Sequence, residues 1–252
     1  MLATASPTSV ATALPKLAVT AAMSMLSSDR QPLFETDTVD AWRQHELHTD
    51  HNGLLVKRPF SGMWDAIQPA IDGACEWIGF GLTEEVHLGS DNLSADIQAA
   101  VNKLLTKAAL PTPISEQIRS DALSVGHTVS SLCASSRLIE IKLEIFGESI
   151  CSRWHRDNYV GRAIVSYTGA RGTEYTGDSN VNFWEMEHCG NNECIILDKG
   201  RIESVEVGDI LFMKGSAYKG AKPLVHKSPQ PSYHVDGRVL NRLILKVDVA
   251  ND

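Results

Sequence analysis

The heptad Ile139-Glu140-Ile141-Lys142-Leu143-Glu144-Ile145 decides how the rest of the chain is read. Ile139, Ile141, Leu143 and Ile145 alternate with Glu140, Lys142 and Glu144. A period of two sends the aliphatic side chains to one face of a strand and the charges to the other. Strand-like segments continue beyond it at 162–167, 194–197, 204–207, 210–213, 224–226 and 239–247. Turn signals separate them: Gly169 to Gly172, Gly177-Asp178, Asn191-Asn192, Lys199-Gly200, Gly208-Asp209 and Gly220. Many short strands with tight turns and no interposed helices predict a sandwich or barrel, not a parallel βαβ sheet.

Upstream the period is helical. Apolar residues recur every three or four positions from Met63 through Ile67, Ile71, Trp77 and Ile78, and Pro69 is expected to kink or split that element. Asn92 or Ser94 would cap a second helix with Ile97, Ala100, Val101, Leu104 and Leu105 along one stripe. Ser115 would cap a third, carrying Ile118, Ala122, Leu123, Val125 and Val129. The expected class is α+β: an arm over residues 1–33, disordered or targeting, a mainly helical region over 34–132, and a β domain over 133–250.

The 252 residues are 43% apolar and 21% charged with 18 glycines and 10 prolines, which excludes wholesale disorder and collagen-like chains. The net charge of −8, with no run of Lys or Arg, argues against a nucleic-acid partner, and no uncharged run is long enough to cross a bilayer. Five scattered cysteines point to a reducing compartment, hence the cytoplasm. The first 28 residues hold no acid but only Lys16 as a base, so a mitochondrial presequence is the lesser alternative to a cytosolic arm. Oligomeric state is not legible.

The chemistry concentrates in the β half. Trp154-His155-Arg156-Asp157 places an imidazole and a carboxylate two residues apart, so that on a strand both share a face. A second imidazole from a distant strand would complete a two-His, one-carboxylate set, and His226 is the natural candidate. Such a set leaves three positions open on an iron(II) ion, enough for a bidentate cosubstrate and dioxygen. The pattern alone is weak, since nine His and sixteen Asp generate a His-x-Asp about 0.6 times by chance. It occurs three times, at 48–50, 155–157 and 234–236, and only the middle pair follows a well-marked strand and has a later His within a further strand pattern.

The segments Cys151–Asp157, Arg162–Gly169, Gly172–Tyr175, Gly208–Gly215, Val225–Pro229 and Arg242–Asp248 together resemble an uncharacterised family, domain of unknown function 1826. That family brings no activity with it. Its block pattern is similar to double-stranded β-helix (jelly-roll, cupin-like) oxygenases that use iron(II) and 2-oxoglutarate. The resemblance implies that fold for 133–250, His155, Asp157 and His226 as iron(II) ligands, and Arg242 as the anchor of 2-oxoglutarate. An Arg on an apolar strand needs an anion; a salt bridge to Glu140 or Glu144 is the competing reading, and Arg238 the rival residue. Arg162 and Tyr167 are read as further cofactor-side residues. Lys214, Tyr218 and Trp184 are read as substrate contacts, the last within a stretch that departs from the family.

His188, Cys189 and Cys194 lack a fourth zinc ligand and read as thiols flanking an Asn-Asn turn. His45, His48 and His51 read as a solvated surface. The expected activity is a mononuclear iron(II)/2-oxoglutarate-dependent oxygenation of a small molecule. Two alternatives use the same ligands: a metal-binding or metal-homeostasis protein without turnover, and a cupin-type lyase or isomerase in which the metal is only a Lewis acid.

Overall fold

The structure is a computed structural model that describes residues 31–40, 51–59, 63–74, 81–220 and 222–249. The expected arm up to residue 30, and His45, His48 and Cys75, lie outside these. In chain order the elements are β1 (Leu33–Thr36), β2 (Gly53–Val56), α1 (Met63–Ala74), β3 (Leu82–His87), α2 (Leu93–Ala108), α3 (Thr112–Leu132), β4 (Leu138–Phe146) and β5 (Gly161–Ser166). They continue as β6 (Glu174–Thr176), α4 (Phe183–His188), α5 (Asn192–Ile195), β7 (Glu203–Ser204), β8 (Ile210–Lys214), β9 (Val225–Lys227) and β10 (Arg242–Val249).

Seven strands form one sheet in the order β1-β2-β8-β5-β10-β4-β3, and three form a second in the order β7-β6-β9. The chain crosses repeatedly between them. It leaves β4 in the large sheet, adds a single bridge residue, His155, beside β9 in the small one, and returns to β5. It then goes out through β6 and β7, back to β8, out to β9 and back to β10. Strands that alternate in this way between two facing antiparallel sheets are a double-stranded β-helix, as expected. β1 and β2 pair in parallel and extend the large sheet beyond β8.

The aliphatic face of β4 explains where the helices sit. Ile139, Ile141, Leu143 and Ile145 join Ile97, Val101 and Leu104 of α2 and Ile118, Ala122, Val125 and Val129 of α3 in one buried cluster. Asn92 caps α2 by accepting from the Ala95 N–H, and the expected stripe is the buried one. α3 starts at Thr112, three residues before the predicted cap; Ser115 instead turns back to donate to the Leu110 carbonyl. The opposite faces of the same strands meet the small sheet. Leu211, Met213, Ile164 and Ile244 pack there with Tyr175, Val205 and Leu224. A third cluster, built on Trp154, Ile195, Ile196 and Val225, covers the small sheet's outer side.

Four expectations need correction. The region 34–132 is not simply helical: β2 and β3 lie in it, β1 straddles its start, and all three join the large sheet, so helices and barrel share one core. α1 runs through Pro69 without a break, because Asp65 and Pro69 lie on its exposed face, where water can satisfy the carbonyl that proline leaves free. The segment 194–197 is not a strand: Asn191 caps a helical turn over Asn192–Ile195, and only Ile196 makes a bridge, to Val181. The strand expected from 239 begins at Arg242, after a turn in which Tyr233 bridges Val239.

Candidate metal centre

His155 and His226 exchange both backbone hydrogen bonds, His155 N–H to His226 O and the reverse, each at 3.0 Å. Residues opposed in an antiparallel pair share a face, so this pair sets two imidazoles side by side, ring centroids 4.4 Å apart. The segment carrying His155 is tightly held. Trp154, 2% exposed, plugs the outer cluster, its backbone N–H donates to Asn192 Oδ1 (3.0 Å), and Asn192 Nδ2 donates to Ser152 O (2.7 Å). Alternation then turns His155 and Asp157 to the other side.

The tautomers follow from the neighbours. His155 Nδ1 lies 2.8 Å from the Arg153 carbonyl and His226 Nδ1 lies 3.1 Å from the Leu224 carbonyl. A carbonyl only accepts, so both Nδ1 atoms carry the proton and both Nε2 atoms keep a free lone pair. Each Nε2 is 3.6 Å from an oxygen of Asp157: His155 from Oδ1, His226 from Oδ2. One ligand atom from each of the three residues lies within 4.8 Å of the others, a spacing that could hold a metal ion. Burial pulls His226 down to about 4, keeping it neutral. Burial also opposes the charge on Asp157, but the adjacent His155, His226 and Arg162 outweigh it and hold the carboxyl at about 2. The neighbouring Asp157 carboxylate raises His155. A neutral imidazole and an ionised carboxylate are the forms that bind metals.

Arg242 starts β10 on the face that looks into the barrel, in step with Ile244. It is 9% exposed, and its Nε and Nη1 are buried without a hydrogen-bond partner among the described residues. Burial pulls it down to about 10. The competing carboxylates are engaged elsewhere: Glu140 with Lys142 at 2.7 Å, Glu144 with Lys246. Arg238, the rival, is an exposed turn residue paired with Asp236 at 2.8 Å. The Arg242 stem passes over Gly169, where a Cβ would come within 2.3 Å of its Cγ. The guanidinium lines a small crevice with Gly147, Ile150, Arg171 and Pro229, so the loops that lead into His155 and out of His226 also form its walls.

The remaining sequence candidates fall elsewhere, Tyr167 and Lys214 for reasons of strand parity. Tyr167 continues the Ala163–Val165 face, is wholly buried against the helices and donates to Asp121 Oδ2 (2.8 Å), so it does not line the barrel. Lys214 shares its face with Ile210 and Phe212; its ammonium donates to the His51 carbonyl (2.8 Å) and lies over the ring of Tyr218, which packs in the same helix-side core. Neither faces the space between the sheets. Trp184 is 63% exposed on α4 and stacks on His188. Cys189 and Cys194 are free and exposed. His234 of the third His-x-Asp pattern bonds Asp72 (2.7 Å), while Asp236 serves Arg238. Arg162 does face the barrel, but it holds Asp157 and Asp248 rather than open space. Asp248 drew no attention in the sequence, although alternation from Arg242 puts it on the same face.

Residues 82–248 match the family described as "Protein of unknown function (DUF1826)". The chain belongs to that family. No curated protein matches this DUF1826 chain. Solved structures similar to it include the dioxygenase for auxin oxidation 1 of Arabidopsis thaliana bound to 2-oxoglutarate, with 8% identity over 88% of this chain and 93% of that one, TM-score 0.47. A Pseudomonas putida prolyl-4-hydroxylase gives 10% identity over 85% and 100%, TM-score 0.39. A putative oxygenase from Shewanella oneidensis gives 13% identity over 86% and 89%, TM-score 0.36. At these identities none of them transfers an activity. Among the described residues no helix is long and apolar enough to cross a membrane.

Proposed function

We propose that this DUF1826 protein is a mononuclear non-haem iron(II) oxygenase that uses 2-oxoglutarate to oxidise a small molecule. The ligands would be His155 Nε2, His226 Nε2 and one oxygen of Asp157, and Arg242 would hold the far carboxylate of the cosubstrate. The observation that carries the reading is the pairing of two features in one barrel. One is a cluster of two imidazoles and one ionised carboxylate; the other is a guanidinium nine-tenths buried with two N–H-bearing atoms that lack a partner among the described residues. A buried cation of that kind is costly unless an anion meets it. A planar carboxylate matches its fork.

Iron(II) with 2-oxoglutarate supplies the activation of dioxygen for a two-electron oxidation. The chain's own residues do the rest. The Arg153 and Leu224 carbonyls hold the two Nδ1–H groups, so each imidazole turns its Nε2 toward the cluster. Trp154 and the Asn192 side chain keep the ligand segment from shifting. Arg242 orients the cosubstrate through charge-assisted hydrogen bonds, and the apolar layer of Ile164, Leu211, Met213 and Ile244 excludes water between the sheets.

The test is anaerobic titration with iron(II) or cobalt(II), followed by aerobic incubation with 2-oxoglutarate and assay of succinate. One metal per chain and succinate formation are expected. His155→Ala and His226→Ala should abolish metal binding with the far-ultraviolet circular dichroism unchanged; stoichiometric metal in both would refute the ligand set. Arg242→Ala should raise the Kd for 2-oxoglutarate by more than tenfold and leave metal affinity within about twofold, as loss of a bidentate charged contact predicts. Tight metal binding with neither 2-oxoglutarate binding nor succinate would favour metal storage or Lewis-acid chemistry instead.

A further inference from the structure

We infer that Arg162, clamped by Asp248, is a positioning residue that makes Asp157 a one-oxygen metal ligand. This rests on the metal reading above. Arg162 lies on the barrel-facing side of β5, directly opposite Asp248 in the β5–β10 register. Its guanidinium uses Nε and Nη2 on the two oxygens of Asp248, at 2.5 and 3.0 Å, and its Nη1 donates to Asp157 Oδ2 at 2.9 Å. Asp248 is wholly buried, and Lys142 meets its Oδ2 at 2.9 Å while also holding Glu140. The Tyr159 ring covers the guanidinium at 4.5 Å.

The arrangement leaves Arg162 no freedom. The bidentate contact to Asp248 fixes the plane of the fork, and that plane decides where the remaining N–H points. A lysine could carry the charge but not the plane. Asp157 therefore has one oxygen committed to a fixed donor. A carboxylate that chelates through both oxygens would occupy a coordination position, leaving two open where the cosubstrate and dioxygen together need three. With Oδ2 drawn to Arg162, chelation is disfavoured. Lys142 and Glu140 sit on the charged face of β4 and form the outer end of a chain of ion pairs. That chain runs from Glu140 through Lys142, Asp248 and Arg162 to the metal-facing carboxylate.

The experiment compares wild type, Arg162→Gln, Arg162→Lys and Asp248→Asn by cobalt(II) titration and the visible spectrum of the bound cobalt, without cosubstrate or turnover. Loss of an outer partner of a metal ligand typically costs about 10- to 100-fold in metal affinity. Arg162→Gln should fall in that range and show a changed cobalt spectrum. Arg162→Lys should recover affinity without restoring the wild-type spectrum. Asp248→Asn, which keeps Arg162 but loosens it, should move the spectrum in the same direction and reads the same quantity if Arg162→Gln does not fold. Wild-type affinity and spectrum in a folded Arg162→Gln, or in folded Asp248→Asn where Arg162→Gln does not fold, would overturn the inference while leaving the metal site standing. Absence of cobalt binding by the wild type would overturn the metal reading, and this inference with it.

Discussion

Gly169, three residues beyond the end of β5, has φ of +101°, in a region that L side chains enter only with strain, and the space a Cβ would need is filled by the Arg242 stem. Both facts act on the same site. Gly169→Ala should cost about 1–3 kcal/mol in urea unfolding, from backbone strain alone. It should also displace Arg242, raising the Kd for 2-oxoglutarate at least tenfold with cobalt(II) affinity unchanged. Calorimetric titration of the cobalt-loaded protein checks this, and unchanged cosubstrate affinity would show that the arginine reaches its position without the glycine. In the sequence Gly169 reads only as one of several turn glycines. Its closeness to Arg242, 73 positions away, is set by the pairing of β5 with β10 and leaves no local mark.

At the level of elements, α3 is fastened to the barrel by one carboxylate. Asp121, 4% exposed, accepts both Nη atoms of Arg58 (2.7 and 3.1 Å), the Tyr167 hydroxyl (2.8 Å) and Gln117 Nε2 (2.9 Å). Removing it strands a cation and a buried hydroxyl, so Asp121→Ala should lose about 3 kcal/mol, whereas Tyr167→Phe should lose about 1 kcal/mol. Equal losses in urea unfolding would mean that Arg58 finds water at no cost. The same joint shows what periodicity could and could not tell. The stripe on α2 and the alternation of β4 were readable because each is written within a dozen residues. Which layer covers each face was not. Tyr167 and Lys214 are polar residues at strand ends, chemically fit for a site, and only the parity of β5 and β8 turns them toward the helices, while Tyr218 follows β8 in a turn. Arg162 is one step out of phase with Tyr167 and therefore faces the metal cluster. The two imidazoles were legible from residue type and strand context, and the network behind them was not, because its partners come from β4, β5 and β10.

For the molecule as a whole, the longest strand ladders and the candidate imidazoles lie in different sheets. β10 is paired along all eight residues with β4 and along six with β5, and its alternate residues enter the helix-side core. The small sheet has strands of only two or three residues, yet it carries His226 and, through the bridge, His155. Short ladders open more readily than long central ones. In hydrogen exchange the amides of β10 and β5 should therefore be the last to exchange, and those of β6, β7 and β9 should exchange well before them. A metal held by His155, Asp157 and His226 would brace the segment 155–157 against β9 at that weak point. At about 100 times its Kd a ligand specific to the folded state adds about 2.7 kcal/mol. Cobalt(II) should accordingly slow exchange over residues 154–158 and 225–228 while leaving β1 and β2 unchanged, and His226→Ala should remove the effect. Uniform slowing across both sheets would mean that metal acts on global unfolding alone, and no slowing at 154–158 would place the ion somewhere other than the three-residue cluster.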